Sequence, residues 1–185
     1  THIYVPYCTG DLHWGNSVIQ YTKSLKLHHY GAVNARSVLN WMYQSLPTAP
    51  KVVFVTGCSA GSYASLLWST DIMKHYESIA APTKVVQFGD SGMGIIRNLD
   101  LLVQVWNLSA TLTGLELFPP NHEIYKNIYS NLTMPLLYKT AALKYPKHVF
   151  SQFAPSYDWN QALFLKRMKT KTPTFVINLK DKITW

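Results

Sequence analysis

The segment Val53–Ser65, VFVTGCSAGSYAS, constrains this chain more than any other. An apolar, β-branched run (51–56, KVVFVT) ends in a cluster of glycine, cysteine, serine and alanine. Apolar residues then return at helical spacing, at Leu66, Leu67, Ile72 and Met73. This pattern predicts a short strand, a tight turn and a helix over about 62–76. A second apolar run, TKVVQFGD (83–90), follows at a distance that suits a parallel crossover. Runs of this kind, without polar alternation, are expected in a parallel sheet buried on both faces.

The same rhythm extends in both directions. Asn34 is a candidate N-cap for a helix over 34–46, with an apolar stripe at Val38, Leu39, Met42 and Leu46 that stops at Pro47. Alternation in HIYVPY (2–7) predicts a strand running into a loop. Later, 147–156 reads as a strand into a loop, 160–170 as a helix and 172–179 as a last strand. Residues from about 93 to 145 are helical or irregular in pattern and are interrupted by FPPNH (118–122). They are predicted to form a helical, cap-like insertion over the sheet's edge. The expected class is α/β, a mostly parallel sheet flanked by helices. At 185 residues the chain fits one domain. Because it opens and closes beside strand-like segments, that domain is expected to be incomplete at both ends.

Composition narrows the function classes. Seventeen Lys and Arg against nine Asp and Glu give a formal charge of +8, which raises the question of nucleic acid. The basic residues are scattered until LKRMKTKT near the end, and no nucleic-acid motif accompanies them. A solvated basic face is the plainer reading, with attraction to an anionic polymer as the alternative. No apolar run is long enough to span a membrane. Two sequons, Asn107-Leu108-Ser109 and Asn131-Leu132-Thr133, favour a secretory route and mark Asn107 and Asn131 as glycosylation candidates. Cys8 and Cys58 are too few for a disulfide framework; they either pair with each other or stay free.

The chemistry centres on Gly57-Cys58-Ser59-Ala60-Gly61, a G-x-S-x-G string between a predicted strand and a predicted helix. In that setting the serine is a candidate nucleophile on a sharp turn, with Gly57 and Gly61 giving the turn room. The N–H of Ala60, at the helix start, would then face a developing oxyanion. The plain alternative is a glycine-rich connection with no chemistry. A nucleophilic serine needs a base, and the base a carboxylate. Asp158, in APSYDWNQ, is the favoured acid, and Asp90, in QFGDSG, the runner-up. None of the seven histidines suits the order serine, acid, histidine, since none follows His148. The base is therefore expected beyond Trp185, and an upstream oxyanion loop before Thr1. No histidine pair has metal-binding spacing and the cysteines lie far apart, so no metal or cofactor is expected.

The blocks VPYCTGDLHWGN (5–16), HHYGAVNARSVLNW (28–41), VFVTGCSAGSY (53–63), QFGDSG (87–92) and FSQFAPSYDWNQALF (150–164) occur in an order that resembles the pectin acetylesterase / Notum family of serine carboxylesterases, its microbial and protist branch most of all. The resemblance implies an α/β-hydrolase fold and a Ser-Asp-His triad. Its nucleophile falls on Ser59, its acid on Asp158 within D-x-x-Q, and its oxyanion donor on Ala60. The family's histidine and Gly-rich oxyanion loop have no counterpart among these residues. The function implied is a secreted esterase that removes O-acetyl or other acyl groups from a polysaccharide through an acyl-serine. Two alternatives stand beside it: a non-catalytic glycoprotein that joins other proteins in an assembly, and a Notum-like deacylase of lipidated protein.

Overall fold

The computed structural model describes residues 1–46, 48–92, 105–122, 124 and 132–169. In chain order its elements are β1 (Ser17–Gln20), β2 (Lys26–His29), α1 (Gly31–Ser45), β3 (Val52–Cys58), α2 (Ala60–Ser78) and β4 (Lys84–Asp90). After these come α3 (Leu108–Leu115), α4 (Met134–Lys144), β5 (Val149–Phe153) and α5 (Trp159–Lys169). The predicted strand over 172–179 lies outside the described residues, as do 93–104 of the insertion.

β3, β4 and β5 form a parallel sheet in that order, with Cys58 opposite Asp90 and Asp90 opposite Phe153. Their carboxyl ends therefore finish level, at one edge. Helix α2 is the centre of the core. Leu66, Leu67 and Met73 have no exposed surface, and the helix packs on β3, β4, α3 and α4. Two of its buried hydroxyls bond back within the helix. Ser69 Oγ donates to Leu66 C=O (2.8 Å) and Thr70 Oγ1 to Leu67 C=O (2.6 Å), so neither needs a partner across the core. The described part of the 93–145 segment adds Leu108, Leu112, Leu115 and Leu137 to the same core cluster.

Helix α1 is tied to α2 through Asp71, whose carboxylate takes Arg36 Nη1 at 3.0 Å and Tyr43 O–H at 3.1 Å. The Tyr43 ring stacks on His75 with centroids 3.6 Å apart. Burial, followed by the Asp71 charge, pushes the Tyr43 phenol well above its ordinary range.

Three expectations need correction, and one element has no counterpart among them. Residues 2–7 form no strand; Pro6 lacks an N–H, and no described strand lies beside them to pair with. A hairpin the sequence concealed, β1–β2, follows instead, with Ser17 opposite His29. Its turn has neither glycine nor asparagine, and closes through Thr22, whose Oγ1 accepts from Leu25 N–H at 3.0 Å. Helix α1 starts at Gly31, not after Asn34, because a distant side chain serves the helix end: Asp11 Oδ2 accepts from Gly31 N–H at 2.8 Å. Strand β3 is not buried on both faces. Val53 and Val55 turn toward α2, whereas Val52 and Phe54 are 56% and 60% exposed.

His148 joins β4 to the chain before β5, its Nδ1 accepting from Val85 N–H at 3.0 Å and its Nε2 lying 3.3 Å from Glu77. Burial lowers its pKa most; Glu77 pulls it up, and Lys147 and Lys84 press it down. His13 is lowered as well, by burial against an opposing pull from Asp11. A histidine held below its ordinary value of about 6.5 stabilises the fold above that value and ceases to as pH falls through the folded one. We therefore expect the urea midpoint to drop as pH is taken from 7 to 5. His148→Gln should flatten that slope, and an unchanged slope in the variant would contradict the assignment.

Candidate active site

Ser59 sits between β3 and α2 with φ 54° and ψ −114°. A positive φ is costly for a residue with a Cβ, so the surroundings must impose it. They do so on both sides. Ser59 N–H donates to Asp90 C=O (2.8 Å), which extends the β3–β4 ladder past its last pair, and Ser62 N–H donates to Ser59 C=O (2.9 Å). The chain doubles back so sharply that a Cβ on Gly57 would run into the carbonyl of Gly61. The reverse does not hold: a Cβ on Gly61 would meet nothing within 4 Å. The expectation that both glycines are sterically required is therefore corrected at Gly61. Ser59 itself is exposed at the sheet edge. Ala60 is the first residue of α2, where an N–H has no acceptor within its own helix.

The next strand and the loop after it complete the packing of this turn. Gly89 and Gly92 of GDSG both press on Ser62 in the first turn of α2; a Cβ on either would overlap that side chain. Ser62 is fully buried, and its Oγ has no hydrogen-bond partner among the described residues. Beneath it lies Gln87, also fully buried. In the orientation that satisfies both ends, its oxygen accepts from Ser65 Oγ (2.9 Å) and Gly89 N–H (3.0 Å), and its nitrogen donates to Ser151 C=O (3.1 Å). A glutamine within an otherwise apolar strand, and two glycines three apart, were the available signals.

Both candidate acids belong to this edge. Asp90 ends β4, with Oδ1 accepting from Ser91 Oγ at 2.7 Å, while Ser91 N–H donates to Phe153 C=O at 2.8 Å. Asp158 lies five residues past β5 and precedes α5. Its Oδ1 accepts from Gln161 N–H (2.9 Å) and its Oδ2 from Gln161 Nε2 (2.7 Å). D-x-x-Q is thus an N-terminal capping arrangement that fixes the rotamer of a half-exposed carboxylate. Four of the seven histidines are occupied elsewhere: His75 on Tyr43, His148 on Val85, His29 with Tyr21 O–H at 2.8 Å, and His13 against the Tyr7 ring. Among the described residues, no hydrogen bond joins a histidine to Ser59.

Residues 1–180 match the pectinacetylesterase family. The chain belongs to the pectinacetylesterase family. The family is one of carboxylesterases. A solved structure of the Wnt deacylase Notum from Drosophila is similar to this chain with a TM-score of 0.51 and 16% identity, covering 92% of this chain and 48% of that one. At that identity the likeness shows the α/β-hydrolase-like fold, and the chain spans about half the length of the solved relative. No curated protein matches the chain.

Other features of this pectinacetylesterase-family chain fall into place around the edge. Cys8 and Cys58 are both exposed free thiols, so the bridge left open by the sequence is not formed. No helix among the described residues is long and apolar enough to cross a membrane. Two clefts of about 280 and 800 Å³ lie along α1–α3 and α3–α4, and Ser59 lines neither. Asn107 is exposed, with Ser109 Oγ donating to its Oδ1 at 3.3 Å, whereas Asn131 lies outside the described residues.

The glycine asymmetry is testable by urea denaturation. Gly57→Ala should cost about 1–3 kcal/mol because backbone must move. Gly61→Ala should be neutral, or stabilising by up to about 1 kcal/mol through helix propensity. Equal losses at the two positions would contradict this packing.

Proposed function

We propose that this chain carries the nucleophile half of a serine carboxylesterase site that removes O-acetyl groups from an acidic polysaccharide outside the cell. The observation that carries this reading is the Ser59 backbone: a non-glycine residue at positive φ between a parallel strand and a helix, with its side chain exposed at the carboxyl edge of the sheet. Membership of the pectinacetylesterase family supports the reaction class and the extracellular location. The charge of +8 supports an anionic polymer as substrate. Asn107, an exposed sequon asparagine, would be glycosylated on the secretory route, and Asn131 is the second candidate.

In this mechanism Ser59 Oγ attacks the ester carbonyl while its proton passes to a histidine. None of the seven present reaches Ser59 among the described residues, so that base belongs to a part of the protein outside them. Negative charge gathers on the carbonyl oxygen, which Ala60 N–H meets at the positive end of α2. The ester C–O bond breaks, the proton goes to the departing sugar hydroxyl, and the acetyl group stays on Ser59. Water, deprotonated by the same base, then attacks the acyl-serine and releases acetate. Asp158 orients the base, its rotamer held by Gln161. Asp90 is the weaker candidate because the family's acid, in its D-x-x-Q element, falls on Asp158.

Hydrolysis of p-nitrophenyl acetate by the full-length protein tests the roles. Ser59→Ala should lower turnover about a thousandfold or more, and Asp158→Ala about a hundredfold or more, with Asp90→Ala within about tenfold of wild type. Turnover that survives Ser59→Ala would reject the nucleophile. A larger loss at Asp90 than at Asp158 would reverse the assignment of the acid.

A further inference from the structure

We infer that Asp11 is a positioning residue for the Ser59 site, acting through the loop 9–15; the inference deepens the esterase reading above and rests on it for its catalytic part. Asp11 is a fully buried carboxylate that takes no part in the chemistry described, and among the described residues no cation pairs with it. A buried anion of this kind is stable only if donors replace its water. Three do: Thr9 Oγ1 at 2.5 Å and His13 N–H at 3.1 Å reach Oδ1, and Gly31 N–H at 2.8 Å reaches Oδ2. Gly31 is the first residue of α1, so the charge also sits at the positive end of that helix. Gly15 and Gly31 close in on the carboxylate from two sides, each so near that a Cβ would overlap it.

These bonds hold the loop in a conformation it would not adopt alone. Gly10, Leu12 and His13 have φ of 64°, 57° and 58°, three left-handed residues within four. That path aims the following groups at the elbow helix. Trp14, with no exposed surface, donates its indole N–H to Tyr63 C=O at 3.2 Å, and its ring meets the Tyr63 ring edge-on. His13 C=O accepts from Trp68 Nε1 at 2.9 Å, further along α2. Tyr63 is four residues past Ser59, so Trp14 grips the turn that contains Ala60 and Ser62. The carboxylate thus fixes the place of the oxyanion donor without touching the substrate.

The test uses the full-length protein with two readouts. Asp11→Asn keeps the volume and removes the charge. Asp71→Asn is the reference, because Asp71 is a buried acid on the same helix that binds Arg36 and Tyr43, away from the elbow. In amide exchange, Asp11→Asn should speed exchange of the peptide spanning 59–63 by about tenfold or more, while Asp71→Asn leaves it unchanged. With p-nitrophenyl acetate, and under conditions where circular dichroism shows each variant folded, Asp11→Asn should lower kcat about 10- to 100-fold with KM within about twofold. Unchanged exchange at 59–63, or equal changes in the two variants, overturns the inference whether or not the protein hydrolyses esters. An inactive wild type, with exchange responding as expected, would overturn the esterase reading and leave Asp11 as the residue that sets the turn.

Discussion

The site depends on one contact, the backbone of Gly57 lying against the backbone of Gly61 across Ser59. That closure forces Ser59 into positive φ, lifts its side chain off the sheet edge and starts α2 at Ala60. Nothing in the serine favours this state, so the cost is met by neighbours. Hydrogen bonds from Ser59 to Asp90 and from Ser91 to Phe153 carry the ladder across all three strands at their carboxyl ends. Gly89 and Gly92 let the β4 loop lie directly on Ser62, which prevents the first turn of α2 from moving outward. The turn is thus held from below by a strand, from the side by a loop and from within by a missing Cβ.

A single helix links this local strain to the whole fold. Helix α2 is buried along most of its length and touches β3, β4, α3 and α4, so displacing its start disturbs the core as a unit. Two buried aspartates set its surroundings. Asp71 joins it to α1 through Arg36 and Tyr43, and Asp11 orders the loop whose tryptophan grips its first turn. One charge is balanced by a guanidinium and the other only by N–H and O–H donors, an arrangement that demands closer geometry from the second.

How much of this the sequence shows depends on how local the physics is. The β3–turn–α2–β4 unit was legible because periodicity, glycine and β-branching all act within a few residues. D-x-x-Q came from the family resemblance, and what the structure adds is a local cap between Asp158 and Gln161. What stayed hidden is tertiary. The α1 start is capped by Asp11, twenty residues upstream, so Asn34 misled. The β1–β2 hairpin has four-residue strands and a turn built on a threonine hydroxyl, which leaves almost no pattern. The demand for glycine at 89 and 92 comes from Ser62, almost thirty residues earlier, and no spacing rule reports it. Gly61 looked equivalent to Gly57 in the string and is not, because only one of the two faces the other's backbone.

The central claim is that Ser59 is held as a nucleophile, and covalent capture tests it most directly. Full-length protein would be treated with a small fluorophosphonate, which forms a P–O bond to an activated serine and expels fluoride, and the adduct mapped by peptide mass spectrometry. The account predicts one adduct, on Ser59, suppressed by prior incubation with an acetylated uronic-acid polymer. Modification at a different serine, or an unmodified Ser59 in folded protein, would contradict it.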